Sequence, residues 1–556
     1  MTVVSMNRKE VEKRIGKINK EIEEKIAMFG TPVEALTEDI LEIDVTPNRP
    51  DLLSLQGFVR AMLPYLKNTK LKPIKVNKPE KDYKVIIDKS VKPVRPFTAC
   101  AIVKNLKLDD SKIKELIDIQ EKLHTTFARK RKKLAIGIYP LEKIKLPITF
   151  AAKKPEEIKF QPLEFPREIN GLQILSQHPA GREYAHLLEG QEKFPVFIDG
   201  NNKVLSMPPI INSHETGKIT EQTKEVFVEC SGFNLPYLKK TLNILVSILA
   251  DMDGEIYQMK IEDKEDSLSP DLSYEKVKLK LEDVNKTLGV TLTEKEVKVY
   301  LEKMQIEYDK GIALIPPFRT DILHWIDLVG EIATAYGYDN FSAEIPKIST
   351  IAEEDKNSKL KRKISEILTG LGLLECSSYH LNTKEEIKNS NYEFKDFIEV
   401  EESKTEYNVL RMDLLTNMLK IISENSDSSY PQKIFETGNV FRLASKETSN
   451  TTDTGVIERE HLVIGLVDEK VNFTEIKQIL DYLFSMLNKK YRLEECDNSN
   501  FIIGRAGKII VEETCAGVSS AGQKEIGIIG EIAPRVLKNW GINMPVVALE
   551  LNIENI

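Results

Sequence analysis

The chain has 556 residues, of which 41% are hydrophobic and 30% are charged, proportions that are typical of a folded globular protein rather than a disordered one. This length predicts about three to five domains. The formal net charge of −8 excludes a protein coated in positive charge, so any nucleic acid would bind at local basic patches.

The cysteines indicate a reducing compartment, and the apolar runs indicate that no segment spans a membrane. No two cysteines form a C-x2-C pair, so the sequence predicts neither a disulfide framework nor a zinc site, and the five are scattered at Cys100, Cys230, Cys376, Cys496 and Cys515. The N-terminus has no apolar signal-like region, and the best apolar run, residues 242–250, is too short to span a bilayer. We therefore expect a cytoplasmic protein without membrane association.

Residues 1–85 are predicted to form a small α+β domain. Helices are expected from Arg8 and over residues 20–28, followed by a strand at residues 40–45. The run TPNRPD then predicts a turn and a helix capped by Asp51. The Lys-rich stretch 75–84 is interpreted as a linker.

A second domain is predicted over residues 86–268, with strands at 85–87, 100–103 and 134–138 and a helix at 111–123. The basic run RKRKK at 129–133 is either a solvated turn or part of a phosphate-binding surface that contacts nucleic acid.

Polar residues gather at strand ends near residues 194–232. Strands at 194–198 and 204–207 flank the turn signal DGNN, MPPIINSHET follows, and the strand at 226–228 ends in Glu229-Cys230-Ser231. This pattern is more typical of a polar pocket than of a core, and a hydrogen-bonded turn that uses Ser and Asn as caps explains it as well as a pocket does. We expect His214 at the surface and an apolar packing helix at 241–251.

Residues 269–342 are predicted to contain helices at 281–289 and 293–304, a strand at 312–315, and the densely patterned run 316–340. Asp321 is expected to cap a helix that starts at Ile322 and buries Ile326, with Asp327 and Glu331 on the opposite face. Three carboxylates so placed are suitable ligands for Mg²⁺, although acidic residues on an exposed face more often only contact water.

The chain also contains an internal repeat. A helix pair and a strand precede a Pro-x-Arg-x-Asp turn twice, and Pro47, Arg49 and Asp51 match Pro317, Arg319 and Asp321. Because Gly57 and Ala61 stand where the second copy has Asp327 and Glu331, a metal is expected only in the second copy, and the shared Asp is expected to cap a helix in both.

Residues 350–556 are predicted to form a larger α/β unit with a basic helix at 359–371, a helix within 406–422 and a polar loop at 445–455.

The motifs PNRPD, MPPIINS, PPFRTDI and AYGYDNF resemble the short archaeal and eukaryotic type of the phenylalanine–tRNA ligase beta subunit family. The resemblance implies a multidomain α+β fold: B1-like residues 1–85, B3/B4-like editing residues 86–268, B5-like residues 269–342, and a degenerate class II synthetase antiparallel-sheet core over 350–556. In the B5 domain of that family two Asp and two adjacent Glu positions bind Mg²⁺ together with the alpha subunit. Gly330 replaces the first Glu here, which implies a weaker site or a water molecule.

The same resemblance implies a site that hydrolyses tyrosine wrongly attached to tRNA(Phe). Residues that match the family's editing pocket, or lie next to it in the motif, are Phe197, Ser206, Asn212, Glu229 and Ser231. A site that selects phenylalanine tolerates an extra hydroxyl, so rejection of tyrosine benefits from a second pocket where Glu229 accepts that hydroxyl's hydrogen bond. The sequence has no Ser/His/Asp or Cys/His arrangement that would indicate a covalent route.

Ligation itself is expected to belong to a partner chain. Arg411 is either a relic of the arginine that holds ATP or a packing residue, and the last strand lacks the G-x-G-x-x-R element of a working class II core. The resemblance implies an alpha-subunit partner in an α2β2 tetramer, tRNA(Phe) binding, shared Mg²⁺, and ATP as substrate of the complex. One alternative is a non-enzymatic tRNA-binding or assembly protein with a vestigial pocket, and deacylation assays would distinguish it. Another is a Mg²⁺-dependent phosphotransferase, which is disfavoured because no Gly-rich phosphate cradle accompanies the three acids in the sequence.

Overall fold

The computed structural model describes residues 2–67, 69–70, 73–80, 82–345, 351–390, 397–401, 403–445, 452, 454–512 and 523–556. The chain divides into two compact units, residues 1–345 and 346–556. Both units combine α-helices with β-sheets, which confirms the predicted α+β class. Cys515 and most of the predicted loop 445–455 lie outside the described residues.

The first region is a small antiparallel sheet with two capped helices. Its elements are β1 (Thr2–Asn7), α1 (Arg8–Ile15), α2 (Lys20–Met28), β2 (Val33–Leu36) and β3 (Ile40–Val45). The strand order is β1-β3-β2. The side chains of Asn7 and Asn19 accept hydrogen bonds from the first turns of α1 and α2, which fixes where these helices begin. The predicted helices and the strand at 40–45 are confirmed.

The TPNRPD run does not form the predicted Asp51-capped helix. A 3₁₀ turn, Pro50–Leu52, comes first, and α3 (Leu55–Lys67) begins after it with Ser54 Oγ accepting the Gly57 amide at 3.1 Å. Asp51 is instead held by Arg49 at 2.9 Å to each carboxylate oxygen. The cap prediction is wrong because a guanidinium two residues earlier offers two parallel charge-assisted donors to both oxygens at once.

The second region is built on one large, mostly antiparallel sheet. Its elements are β4 (Val76–Asn77), β5 (Lys84–Ile87), β6 (Phe97–Lys104), α4 (Asp110–Thr125), β7 (Leu134–Pro140), β8 (Ile148–Lys153), β9 (Lys159–Phe160), β10 (Ile169–Asn170), α5 (Gly171–Gln177), α6 (Pro179–Tyr184), β11 (Phe194–Ile198), β12 (Val204–Met207), β13 (Ile211–Asn212), α7 (His214–Gly217), β14 (Val226–Gly232), α8 (Leu235–Asp251), β15 (Glu255–Glu262) and β16 (Ser267–Ser269). The strand order is β13-β12-β11-β8-β5-β15-β6-β14-β7. The predicted strands and helices are confirmed, and α8 begins earlier than expected because Asn234 caps it.

Strand β14 lies in the interior of this region, and all of its residues are buried. One face of the sheet carries an aromatic cluster that includes Tyr139, Phe197 and Phe227, whereas the other face packs against α8. Because alternate residues of a strand point to opposite faces, Glu229 shares the aromatic face with Phe227. The fold thus places a carboxyl group inside an apolar layer.

The third region has the elements β17 (Glu275–Lys278), α9 (Leu281–Leu288), α10 (Glu294–Lys303), β18 (Glu307–Asp309), β19 (Ile312–Ile315) and α11 (Trp325–Tyr336). The predicted α9, α10 and β19 are confirmed, and Thr293 caps α10. The helix expected from Ile322 begins only at Trp325, because Asp327 accepts the amides of Leu323 and His324 at 2.8 and 2.7 Å. Ile326 was predicted to be buried and is 42% exposed.

The internal repeat is visible in the order of elements. The first copy runs β1-α1-α2-β2-β3 and then, after the Pro-x-Arg-x-Asp turn, α3; the second runs β17-α9-α10-β18-β19, turn, α11. Each three-stranded sheet places its first strand beside its third, in the orders β1-β3-β2 and β17-β19-β18. The two turns touch, since Thr320 Oγ1 donates to the Asn48 carbonyl at 3.2 Å. The repeat predicted from the sequence is therefore confirmed.

In the described residues, the second unit is built on a seven-stranded, mostly antiparallel sheet that packs against α-helices. Its elements are α12 (Lys356–Gly370), β20 (Leu374–Glu375), β21 (Leu381–Asn382), α13 (Lys384–Asn389), β22 (Val409–Leu410), α14 (Leu415–Glu424), β23 (Gln432–Leu443), β24 (Val456–Val467), α15 (Phe473–Met486), β25 (Tyr491–Glu495), β26 (Phe501–Glu512), β27 (Gln523–Ile532), α16 (Pro534–Asn539) and β28 (Val546–Asn552). The order β20-β23-β24-β28-β27-β26-β25 is antiparallel except at β20. Within the described parts of the chain, no helix is both long and apolar enough to cross a membrane.

Candidate functional site

Glu229, in the middle of β14, is a buried acid with one unpaired oxygen. Glu229 is 1% exposed, and its Oε1 lies 3.3 Å from the hydroxyl oxygen of Tyr139. No described residue forms a hydrogen bond with Oε2. Burial raises the pKa of Glu229 to about 8, against the opposing effects of Arg95, Tyr139 and Ser231. The acid is therefore mainly neutral at pH 7.

Tyr139, on β7, connects Glu229 to the neighbouring strand pair. Its hydroxyl lies 3.3 Å from Oδ1 of Asn212, and its fully buried ring stacks on Phe227 with centroids 5.7 Å apart. Burial, together with the charge of Glu229, raises the pKa of Tyr139 well above its ordinary value. A Cβ at Gly137 would overlap the Tyr139 hydroxyl and lie 2.6 Å from Glu229 Oε1, so this arrangement requires glycine at residue 137.

Arg95 supports the other end of the site. Its Nε donates to Ser231 Oγ at 3.1 Å and its Nη2 to the Ser231 carbonyl at 2.7 Å. Burial lowers the pKa of Arg95 to about 10, and the charge of Glu229 opposes this change. Arg95 thus fixes the strand residue that lies two positions from Glu229 on the same face.

A cavity of about 110 Å³ opens beside Glu229. Its lining includes Gln120, His124, Arg131, Pro209, Asn212 and Glu229. His124 is buried and accepts the Ile136 amide through Nε2 at 2.9 Å, so this nitrogen is engaged in the fold. The cavity is smaller than the dry cavity of about 150 Å³ that binds benzene, so an aromatic ring would enter it only with some movement of the wall.

The structure brings the sequence-predicted pocket residues into one region but places only Glu229 and Asn212 on the cavity wall. Phe197 is buried behind the wall and stacks on Phe150 at 4.3 Å. Ser206 lies opposite both Phe197 and Asn212 in the strand register, and its buried Oγ approaches the Tyr139 hydroxyl without forming a hydrogen bond to any described residue. Ser231 is fully buried beneath the site.

Sequence reasoning missed Tyr139, Gly137 and Arg95. The first two stand in the segment RKKLAIGIYPLEKI, where a glycine two residues before a tyrosine on a buried strand was the available signal. Arg95 gave no signal, because only the pairing of β6 with β14 brings its neighbourhood to Ser231. His214, predicted at the surface, is half-buried, and its Nδ1 has no hydrogen-bond partner in the described chain.

The basic run 129–133 contributes one residue to the cavity. Arg129, Lys130 and Arg131 all have positive φ angles of 49°, 51° and 63°, so the run forms a tight turn rather than a helix end. Arg131 donates to the Ile210 carbonyl at 2.8 Å and to Glu121 at 3.0 Å, which fixes it at the cavity. Contact of this run with nucleic acid stays a prediction, and it concerns the exposed Arg129, Lys130 and Lys132 rather than the half-buried Arg131.

The stability of the 1–345 unit is expected to fall between about pH 5 and pH 8 because of Glu229. The folded pKa of about 8 exceeds the ordinary value of 4.5, so the folded chain holds a proton that the unfolded chain has lost. The contribution is complete below the ordinary pKa and is lost as pH rises through the folded pKa, by up to about 1.4 kcal/mol per pH unit. Urea unfolding of the wild type and Glu229→Gln across this range measures the effect, and parallel pH dependences would contradict it.

Of the three carboxylates predicted to bind Mg²⁺, Asp321 and Glu331 meet at one guanidinium, and Asp327 is engaged at the start of α11. Arg319 binds both oxygens of Asp321 at 2.8 and 2.7 Å and also lies 3.0 Å from Glu331, whereas Asp327 caps α11. Burial alone would raise the pKa of Asp321, but the hydrogen bonds and charge of Arg319, with a contribution from Arg49, hold it below its ordinary value. The Arg319 guanidinium therefore supplies the positive charge beside Asp321 and Glu331.

These residues do not by themselves fit a metal site. The part of the chain that the structure describes contains no group of three or more His, Cys, Asp or Glu side chains able to hold a metal ion. At Gly330 the position is exposed and open, so no fourth carboxylate completes the set. The expectation that Asp321 caps a helix is also wrong, for the same reason as at Asp51.

Removing Mg²⁺ is accordingly expected to leave the unfolding midpoint of the isolated chain unchanged. A resident ion at 100 times its dissociation constant would add about 2.7 kcal/mol to the free energy of unfolding. Thermal unfolding in EDTA and in millimolar MgCl₂ measures this, with Asp321→Asn as the matched control. A stabilisation by Mg²⁺ that the control lacks would show that the acids bind the ion despite Arg319.

Arg411, in the second unit, is a packing residue in this structure. It is 2% exposed, and its guanidinium donates to Glu436 at 2.8 Å and to the Asn439 carbonyl at 2.7 Å. On the last strand, Glu550 accepts the Leu415 amide at 3.0 Å and contacts His461 at 2.6 Å. Both groups are engaged within the protein.

Two protein-family models match the chain. A model described as the tRNA synthetase B5 domain matches residues 277–338, and one described as the phenylalanyl tRNA synthetase beta chain CLM domain matches residues 342–553. Curated phenylalanine–tRNA ligase beta subunits are also similar. Those of Thermococcus sibiricus and Pyrococcus horikoshii are both 36% identical over 91% of this chain, and cover 88% and 89% of their own lengths. That of Archaeoglobus fulgidus is 32% identical over 100% of this chain and 98% of its own length.

A solved structure resembles part of the chain. The crystal structure of an N-terminal fragment of the phenylalanyl-tRNA synthetase beta subunit from Pyrococcus horikoshii matches with a TM-score of 0.58 and 34% sequence identity. The match covers 60% of this chain and 99% of that fragment. Sequence and structure comparisons thus agree on the same group of proteins.

Proposed function

Because the chain belongs to the family of phenylalanine–tRNA ligase beta subunits, we propose that it works with the alpha subunit of that ligase in one complex. The complex attaches phenylalanine to tRNA(Phe) with ATP as substrate and with Mg²⁺ that the alpha subunit shares. This chain contributes tRNA binding and the scaffold of an α2β2 tetramer in the cytoplasm.

The second unit supports a division of labour in which the partner performs ligation. Its largely antiparallel sheet is consistent with a class II synthetase-like core. Arg411, the residue that could have held ATP phosphates, is instead buried against Glu436. An arginine whose donors are engaged inside the protein cannot also bind a nucleotide bidentately.

Co-expression with the alpha subunit tests this part of the proposal. We expect the complex to co-purify and to charge tRNA(Phe) with phenylalanine in the presence of ATP, and we expect the isolated chain to form no aminoacyl-tRNA. If the isolated chain, purified away from any other synthetase, charged tRNA(Phe) with phenylalanine, the assignment of ligation to the partner would be overturned.

The first unit supports a second activity, hydrolysis of Tyr-tRNA(Phe) in a B3/B4-like editing module. The observation that carries this proposal is the neutral, buried Glu229, which has an unpaired oxygen and lines a small cavity. A site whose buried polar group pairs only with the substrate hydroxyl discriminates strongly against the analogue that lacks it. Tyrosine would therefore be accepted here, and phenylalanine would be rejected.

The hydrolysis needs little beyond binding and an oriented water molecule. Water attacks the ester carbonyl carbon, the bond to the ribose oxygen breaks, and tyrosine and tRNA leave with one proton returned to the ribose hydroxyl. The cavity wall supports a direct route rather than a covalent one, since His124 is engaged with the Ile136 amide and no Ser or Cys lies beside it on the described wall. Glu229 acts in recognition and Asn212 lines the same wall.

A further inference from the structure

The Tyr139 hydroxyl contacts two hydrogen-bond acceptors at once. It lies 3.3 Å from Oε1 of Glu229 and 3.3 Å from Oδ1 of Asn212. A phenol has a single proton and donates to one acceptor at a time, and the oxygen of an amide has no proton to donate. Both contacts are satisfied together when Glu229 supplies the proton for one of them and Tyr139 supplies the proton for the other.

A neutral Glu229 resolves this conflict. Burial in the aromatic layer favours the protonated acid, because an isolated charge is costly there. A chain of donors then runs in one direction, from Oε1–H of Glu229 to the oxygen of Tyr139, and from the Tyr139 O–H to Oδ1 of Asn212. The second oxygen of the acid, Oε2, becomes an acceptor only, and none of the residues that the structure describes is bonded to it.

We propose that Tyr139 is a positioning residue that keeps the proton of Glu229 on Oε1, so that Oε2 meets the cavity as a bare acceptor and selects a substrate with a hydroxyl. The inference rests on the proposed editing function and adds the residue that sets its selectivity. Tyrosine donates its phenolic proton to Oε2, whereas phenylalanine leaves this buried acceptor unpaired, which is the costly case.

The surroundings of Tyr139 allow this single orientation. Its ring is fully buried and stacks on Phe227, so the hydroxyl cannot turn towards solvent. Gly137 leaves the space that the hydroxyl and Oε1 occupy together. Arg95 donates to Ser231 rather than to Glu229, and the Tyr139 hydroxyl is the group within 3.3 Å of Oε1.

The test is the selectivity of deacylation in the complex that carries Tyr139→Phe. We expect the ratio of kcat/KM for Tyr-tRNA(Phe) to that for Phe-tRNA(Phe) to fall about tenfold, through loss of the tyrosyl reaction, because the freed acid proton can move to Oε2. Tyr257→Phe is the matched control: it removes a phenol hydroxyl that contacts Glu255 at 3.4 Å on β15, and its ratio should equal that of the wild type.

An unchanged ratio in Tyr139→Phe, or equal slowing of both substrates, would overturn the inference, because a purely structural role affects both reactions alike. The carboxylic-acid carbonyl band of Glu229, identified by its loss in Glu229→Gln, gives a second measurement that needs no turnover. We expect Tyr139→Phe to shift this band, and an unshifted band would also overturn the inference. If the wild-type complex deacylates neither substrate, both the editing function and the proposed selectivity fail. The carbonyl band of Glu229 still decides whether Tyr139 holds the proton on Oε1.

Discussion

Replacing Glu229 with Ala is expected to slow hydrolysis of Tyr-tRNA(Phe) by the complex about 100-fold while Phe-tRNA(Phe) formation continues at the wild-type rate. The variant loses the acceptor that pairs with the substrate hydroxyl, and selection by such a buried group is worth factors of this size or larger. Ligation is unaffected because the proposed division of labour places it in the partner. Deacylation of purified Tyr-tRNA(Phe) and initial charging rates measure the two effects.

Two further variants separate recognition by Glu229 from a general effect of substitution. Glu229→Gln keeps the volume and one acceptor oxygen, so it should be impaired less than Glu229→Ala. Glu221→Ala removes an exposed acid from the same module and should behave as the wild type. Wild-type deacylation by Glu229→Ala would remove Glu229 from the site.

Replacing Arg319 with Met is expected to lower the free energy of unfolding of the 1–345 unit by about 3–5 kcal/mol. Arg319 is 1% exposed and is held between Asp321 and Glu331, so its loss leaves two buried or half-buried carboxylates without their cation. Breaking a buried ion pair from one side is costly for this reason. The measured loss also shows how much of the negative charge of Asp321 and Glu331 is balanced by the Arg319 guanidinium rather than by a metal ion.

Tryptophan fluorescence isolates the relevant transition. The chain has two tryptophans, so in a Trp540→Phe background Trp325, at the start of α11, reports on the first unit alone. The exposed pair Lys9–Asp39 provides the control, because Lys9→Ala should cost less than about 1 kcal/mol. A loss that small for Arg319→Met would contradict a structural role for the ion pairs.

Much of the fold could be predicted because its signals are local. The helix over residues 20–28 is found with the predicted bounds, and strand β3 coincides with its prediction, because hydrophobic periodicity and caps act within a few residues. The repeat could also be found, since two copies of one plan carry the same Pro-x-Arg-x-Asp turn. Prediction failed at Asp51 and Asp321, where a cap and an arginine compete for one carboxylate and the arginine wins.

The candidate site was only partly predictable. Glu229 and Asn212 could be proposed from residue type and from resemblance, and the structure places both on one cavity. Tyr139 could not, because its role depends on the register that sets Glu229 opposite Gly137 and on the strand pair that carries Asn212. The unpaired oxygen of Glu229 is likewise a property of the assembled sheet and of no single segment.

One measurement tests the central claim most directly: the single-turnover deacylation rates of Tyr-tRNA(Phe) and Phe-tRNA(Phe) by the wild-type complex, compared under identical conditions. Recognition of a phenol hydroxyl by the neutral Glu229 predicts that the tyrosyl ester is hydrolysed faster by at least about 100-fold. Equal rates for the two esters, or spontaneous rates for both, would contradict it and leave the pocket as a vestige.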